Sequence, residues 1–253
     1  MTPPSRVAED GSGWAAARAA LAASGTVTLC ADAADWTVPE GAAGLPAADA
    51  VRYGRLAGAL ARHRFLVSRL LLRRAAEALL GIGPEGYDLA RRPGGAPHLR
   101  GHARTGLNLS HTGGLVVLGV SERGRIGVDV ERLGRPVDPA ALADRICAAP
   151  ELRELAGLPQ ERHAAVLLRL WTLKEAYTKA LGTGLRLPAR AAAFALGART
   201  AVLVGRSGRP VPQEPWRFTT DVLPGGYVVS TATRDDRPAG LSAPRRRECP
   251  PRR

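Results

Sequence analysis

Ile126-Gly127-Val128-Asp129-Val130-Glu131, at the centre of the chain, alternates apolar side chains with small or acidic ones. A strand turns successive side chains to opposite faces. Ile126, Val128 and Val130 therefore share one side, and Asp129 and Glu131 share the other with only Gly127 before them. Two carboxylates at this spacing repel unless water or a cation neutralises them. A solvent-facing strand edge satisfies that condition. So does a hard-cation site, since Mg²⁺ takes few carboxylate oxygens and keeps places for water and substrate phosphates.

Working outward, two further β-like runs, Gly106–Leu109 and Leu115–Val120, precede this strand and flank a polar cluster, Ser110-His111-Thr112-Gly113-Gly114, that reads as a turn. Beyond them the pattern is helical. Trp14–Ala23 is Ala-rich and leads into a short strand at Thr26–Cys30. From Asp49 to Leu80, Leu56, Leu60, Leu66, Leu70 and Leu79 fall near one stripe, with Gly58 as a point of division and Gly81-Ile82-Gly83-Pro84 as the stop. After Pro136 and Pro139 helices are expected to resume, the longest from about Pro159 to Leu181, and short strands fill Ala193 to Thr233. Helices and strands cluster instead of alternating strictly, which predicts an α+β fold. Arg234–Arg253, rich in Pro and Arg, reads as a disordered tail.

No apolar run reaches bilayer length, and the polar start lacks the basic-then-apolar layout of a signal peptide, so a cytoplasmic protein without membrane contact is expected. Cys30, Cys147 and Cys249 have neither zinc nor redox spacing. The net charge of +13 calls for an anionic partner: nucleic acid, acidic protein or phosphorylated cofactor. Aromatic residues make up only 4%, and no nucleic-acid motif is present, which argues against stacking recognition of bases.

Every basic residue but two is arginine; the exceptions are Lys174 and Lys179. Lys and Arg are not interchangeable where geometry matters, so this pair points to a place that needs a compact ammonium. Around it, Val166, Leu170, Leu173, Tyr177 and Ala180 form the apolar stripe of a helix, while Trp171, Glu175 and Lys179 step along another face. Glu175 and Lys179 alone would be an ordinary surface pair. The exit Gly182-Thr183-Gly184 stops the helix just beyond and lets backbone approach something closely. The Ser110–Gly114 cluster, with hydroxyls, an imidazole and glycine amides, suits a phosphate.

Taken together, NLSH (Asn108–His111), GVDVE (Gly127–Glu131) and WTLKEAYTKALGTGL (Trp171–Leu185) resemble the markers of the Sfp-type 4′-phosphopantetheinyl transferases. The likeness covers roughly Asp49 to Leu187, and Gly225-Gly226-Tyr227 more loosely. It implies two similar α+β halves related by a pseudo-twofold axis, with the active site in the cleft between them. The halves would be residues 1–122 and 123–233, ahead of the tail at 234–253. It further implies Mg²⁺, with Mn²⁺ as an alternative, held by Asp129, Glu131 and Glu175. Lys174 and Lys179 would lie near the pyrophosphate of coenzyme A, and Ser110 and His111 on its phosphates. Arg52, Arg55 and Arg64 become candidates for the 3′-phosphate. The serine of an acidic acyl or peptidyl carrier protein would attack, releasing 3′,5′-ADP, with Glu175 or a metal-bound water taking the proton. Catalysis would thus rest on Asp129, Glu131, Glu175 and Lys179, in a monomer that needs no nucleic acid. One departure stands out: where the family shows G-K-P, this chain has Gly95-Ala96-Pro97, leaving the missing cation to Arg91, Arg92 or Arg100.

Overall fold

The computed structural model describes residues 1–39, 41, 43–92, 95–183 and 186–236. Two β-sheets lie face to face, each with helices on its outer side. The first has the order β1 (Ser5–Arg6), β2 (Thr26–Asp32), β6 (Leu115–Ser121), β5 (Gly106–Thr112), antiparallel except where β1 joins β2. The second runs β7 (Gly124–Arg132), β11 (Tyr227–Asp235), β10 (Trp216–Leu223), β9 (Thr200–Val204), β8 (Ala193–Leu196), antiparallel throughout. A short ribbon pairs β3 (Leu89–Arg91) with β4 (Pro97–Leu99). The helices are α1 (Trp14–Ser24), α2 (Ala47–Gly54), α3 (Ala59–Leu80), α4 (Pro139–Ile146), α5 (Ala149–Ala156) and α6 (Gln160–Leu181). The α+β expectation holds. The first sheet is complete by Ser121 and the second starts at Gly124, and the two differ in strand number, four against five.

Strand β6 shows why the layers form. Its residues are buried from end to end. Val116, Leu118 and Val120 pack outward with Leu21 of α1 and Leu71 of α3. Leu115 and Val117 point inward against Val128, Val130 and Val229 of the other sheet. A strand covered on both faces must be apolar at every position, which is what Leu115–Val120 supplies. On the far side of the second sheet, Leu173 and Ala176 of α6 meet Phe218 and Ala232. Burying one Val or Leu side chain contributes about 1.5–3 kcal/mol. The three clusters therefore hold the layers together against the entropy of ordering the chain.

Two glycines place the functional elements. Gly58 has φ 83° at the start of α3 and separates it from α2, dividing the long helical pattern as its sequence suggested. At Gly127 of β7, an added Cβ would collide with the Ala176 carbonyl oxygen and the Ala180 amide nitrogen. Helix α6 thus rests directly on the strand backbone. Gly127→Ala should cost about 1–3 kcal/mol of stability or more, as overpacking a tight contact does. The check is a lowered urea midpoint at unchanged denaturant slope; an unchanged midpoint would mean that α6 does not lean on β7.

The polar cluster departs from its reading as a turn. Ser110, His111 and Thr112 pair with Val117, Val116 and Leu115, so β5 continues to Thr112 and the turn shrinks to Gly113-Gly114. Alternation along this strand sends Asn108, Ser110 and Thr112 one way and His111 the other. At the C-terminal end β11 continues through Asp235, two residues beyond the expected limit, and the rest of the tail, 237–253, lies outside the described residues. Cys30 and Cys147 are buried. Burial pushes their thiols up, to about 12 and about 11, which keeps both protonated and unreactive; Cys249 lies outside the described residues.

Candidate active site

Strands β5 and β7 are edge strands of different sheets, and side chains close the seam between them. The Val128 amide donates to Asn108 Oδ1 at 3.0 Å, and Ser110 Oγ donates to Asp129 Oδ1 at 2.7 Å. Helix α6 adds Lys179, whose Nζ donates to Asp129 Oδ1 at 2.7 Å, to the Val128 carbonyl at 3.0 Å and to Ser110 Oγ at 3.1 Å. Asp129 is 7% exposed, and a hydroxyl and an ammonium supply the hydrogen bonds that its buried oxygen requires. Gly127 makes this meeting possible, because it lets α6 approach β7 closely enough for Lys179 to reach the next outward-facing residue.

Burial raises the Glu175 carboxyl above its ordinary range and the Asp129 charge adds to the rise, against Lys179 and Arg145. Burial likewise raises Glu131, with Asp129 adding and Arg135, 3.6 Å away, opposing. The Arg145 guanidinium lies 4.6 Å from the centre of the Trp171 ring on the same side of α6. Two carboxyls raised by burial, and further by a third carboxylate, are oxygen donors of the kind a hard cation takes. Among the described residues, however, no three Asp, Glu, His or Cys side chains stand close enough to form such a cluster. The cation at Asp129 is the Lys179 ammonium.

From Ser110 and Lys179 opens a cleft of about 950 Å³. Its wall includes His111 of β5, Arg52 of α2, Arg69 of α3, Arg91 of β3 and Arg92. Asp129, Glu131 and Glu175 do not form part of that wall; Asp129 is joined to it through Ser110 and Lys179. His111 is exposed as a residue, but its ring sits in the groove. Loss of water around it, then the Arg64, Lys179 and Arg52 charges, lower its pKa, so the imidazole is neutral at pH 7. A cleft walled by guanidinium groups, with an ammonium and a neutral imidazole at one end, is suited to a ligand carrying several phosphates.

The site thus brings together Ser110, Asp129 and Lys179, with His111 and Arg52 on the adjoining wall. It does not gather every expected residue. The structure corrects the assignment of Lys174 to a cofactor phosphate. Its ammonium is 1% exposed and donates to Glu151 Oε2 at 2.6 Å and to the carbonyls of Ile146, Ala192 and Ala189 at 2.7, 2.8 and 3.1 Å. Consecutive residues of a helix point about 100° apart, so Lys174 cannot share the face of Glu175 and Lys179. Arg55 ends α2 away from the cleft wall, and Arg64 donates to the Gly113 carbonyl at 2.7 Å, bracing the turn after His111. Of the helix exit, Gly182 has φ 75° as the helix cap, whereas Gly184 and Leu185 lie outside the described residues. Sequence reasoning missed Asp49, which is buried against Arg69 and Arg91, although it is the only acid between 49 and 76 in an arginine-rich stretch.

Residues 125–232 match the family model of the 4′-phosphopantetheinyl transferase superfamily. The chain is 36% identical over 127 residues to the 4′-phosphopantetheinyl transferase HetI of Nostoc sp., covering 49% of this chain and 54% of that protein. It is 32% identical over 122 residues to the 4′-phosphopantetheinyl transferase psf-1 of Bacillus pumilus, covering 48% and 51%. Similarity to a phosphopantetheinyl transferase of Thraustochytrium sp. is lower, 28%, but spans 217 residues, 80% of this chain and 75% of that one. The chain spans about half the length of most of the curated relatives it matches. The segment that matches the family model, less than half of the chain, is the part that carries Asp129, Glu131, Glu175 and Lys179.

Proposed function

We propose that this chain transfers the 4′-phosphopantetheine arm of coenzyme A to a serine of an acyl or peptidyl carrier protein, as an Sfp-type enzyme, releasing 3′,5′-ADP. The observation that carries the reading is Lys179 bridging Ser110 and Asp129 at the end of an arginine-walled cleft, with Asp129 and Lys179 inside the segment that matches the family. Residues 1–122 and 123–233 would act as the two halves, one lending the arginines, Ser110 and His111, the other the carboxylates and Lys179.

In this reading the guanidinium groups and His111 hold the phosphates of coenzyme A, and Lys179 sits beside the pyrophosphate. The carrier serine oxygen bonds to the β-phosphorus as the pyrophosphate P–O bond breaks. Glu175 takes the serine proton. A carboxyl raised by burial and by Asp129 binds that proton more firmly than an ordinary glutamate would. The family likeness would assign Mg²⁺, or Mn²⁺ in its place, to Asp129, Glu131 and Glu175, but with Asp129 held by Lys179 the three carboxylates do not stand as one cluster, and no step here depends on the ion. Asp129 has a second role that needs no ion: it keeps Lys179 and Ser110 at fixed positions at the end of the cleft. The charge of +13 complements the acidic surface expected of a carrier, which would steer encounter and make it salt-sensitive. No helix among the described residues is long and apolar enough to cross a membrane. A cytoplasmic monomer acting on free carriers is proposed.

Incubating the protein with coenzyme A, Mg²⁺ and apo forms of polyketide, peptide and fatty-acid carriers should add the mass of one phosphopantetheine to at least one of them. Intact-mass spectrometry that finds every carrier still apo would refute the proposal.

A further inference from the structure

Asp49 is a buried carboxylate behind the cleft wall, and the guanidinium groups of two wall residues, Arg69 and Arg91, take up both of its oxygens. Arg69 Nε donates to Oδ2 at 2.7 Å and Nη2 to Oδ1 at 3.1 Å, while Arg91 Nη2 donates to Oδ1 at 3.0 Å. The Asp49 side chain is 6% exposed and that of Arg91 is 30% exposed. Arg69 is fixed twice more, with its guanidinium 4.1 Å from the centre of the Phe65 ring and Nη1 donating to Ser68 Oγ at 2.9 Å. Arg91 Nη1 donates to the Gly95 carbonyl at 3.0 Å, next to Ala96. Burial alone would raise the Asp49 carboxyl, but the two arginines more than offset it and hold it ionised. One carboxylate thus locks two long cationic side chains, from α3 and β3, into a single arrangement on the wall where the family's lysine is replaced by alanine.

We propose that Asp49 is a positioning residue of the cleft: it holds Arg91, braced by Arg69, facing the ligand beside Ala96, so that a guanidinium receives a phosphate there in place of the lysine. The identity of the phosphorylated ligand rests on the coenzyme A reading; the positioning role does not. Charge alone predicts the opposite result. Removing a carboxylate makes the cleft more positive and would tighten an anion, whereas removing a positioning group frees Arg91 and loosens it.

Isothermal titration of coenzyme A, with inorganic pyrophosphate as a second probe, would be run on the wild type, Asp49→Asn, Arg91→Ala and the double variant Arg91→Ala/Ala96→Lys, with thermal unfolding of each. Asp49→Asn and Arg91→Ala should each weaken coenzyme A about tenfold, the loss of one charge-assisted hydrogen bond. Ala96→Lys should restore most of what Arg91→Ala loses. In turnover, KM for coenzyme A should rise while kcat and KM for the carrier hold. Equal or tighter binding by Asp49→Asn, or no rescue by Ala96→Lys, overturns the inference. If Asp49→Asn fails to fold, the rescue arm decides it. Weakened binding without modification of any carrier would sink the transferase reading and leave this inference standing. Modified carriers with an unchanged KM for coenzyme A in Asp49→Asn would do the reverse.

Discussion

Lys174→Ala should unfold the second half of the molecule and should not act by weakening cofactor binding. The ammonium ties α6 to the end of α4 through Ile146, to α5 through Glu151, and to the segment before β8 through Ala189 and Ala192. Glu151 in turn accepts from the Phe194 amide at 2.9 Å and the Ala148 amide at 2.8 Å. Both side chains of the pair are essentially unexposed, 1% and 0%. Removing one partner strands a charge in the core, which costs about 3–5 kcal/mol. That is a large share of the roughly 5–15 kcal/mol by which domains are stable. Urea denaturation should show the loss, and Lys174→Arg should not repair it, because a planar fork cannot meet these acceptors as an ammonium does. The double change Lys174→Met with Glu151→Leu should recover part of the stability, since an apolar pair removes both buried charges together. Recovery stays partial because the three carbonyls still lack their donor and the Phe194 and Ala148 amides lose Glu151 as acceptor. A Lys174→Ala protein of wild-type stability with weakened coenzyme A binding would restore the sequence-based assignment.

Asp129→Ala should have the opposite profile: transfer falls while the fold survives. The Lys179–Asp129 pair is partly exposed, with side-chain exposures of 27% and 11%, so its loss costs far less stability than the buried pair. Chemically it removes the carboxylate that holds Lys179 and Ser110 and that raises Glu175. Loss of one preorganised electrostatic group lowers turnover by on the order of 10²–10³-fold, and Asp129→Ala should reach at least that range. The measurement is kcat with a saturating apo carrier, beside coenzyme A binding and a melting curve. Near-normal kcat in a folded variant would remove Asp129 from the mechanism. Glu175→Ala should lower kcat too, but without freeing Lys179 from Ser110.

The central strand and the last long helix could be read directly from their side chains, because both announce themselves by period. Alternation placed Ile126, Val128 and Val130 inward and Asp129 outward, and the four-residue steps put Glu175 and Lys179 on one face. The shortage of lysine also carried information, since both lysines occupy places where a compact ammonium meets several oxygens. Only one of those places lies at the candidate site. Lys174 was misassigned because its partner, Glu151, is 23 residues away and its other acceptors are backbone carbonyls, which no side-chain pattern reveals. Asp49 was overlooked for a related reason: its meaning depends on Arg69 and Arg91, which only the packing of α2, α3 and β3 brings to it. Ser110–Thr112 looked like a turn because a polar edge strand has the composition of one, and only its ladder with β6 distinguishes the two.

The seam between β5 and β7 bears on how such a protein can change over generations. Each sheet keeps its own hydrogen-bond ladder, and across the seam the site is joined by single side-chain contacts such as Asn108 to the Val128 amide. Neither half therefore imposes strand register on the other. The arginine-bearing half can change in length and composition without shifting the spacing of the carboxylate-bearing half. The family match, confined to residues 125–232, falls on the carboxylate-bearing side of that boundary.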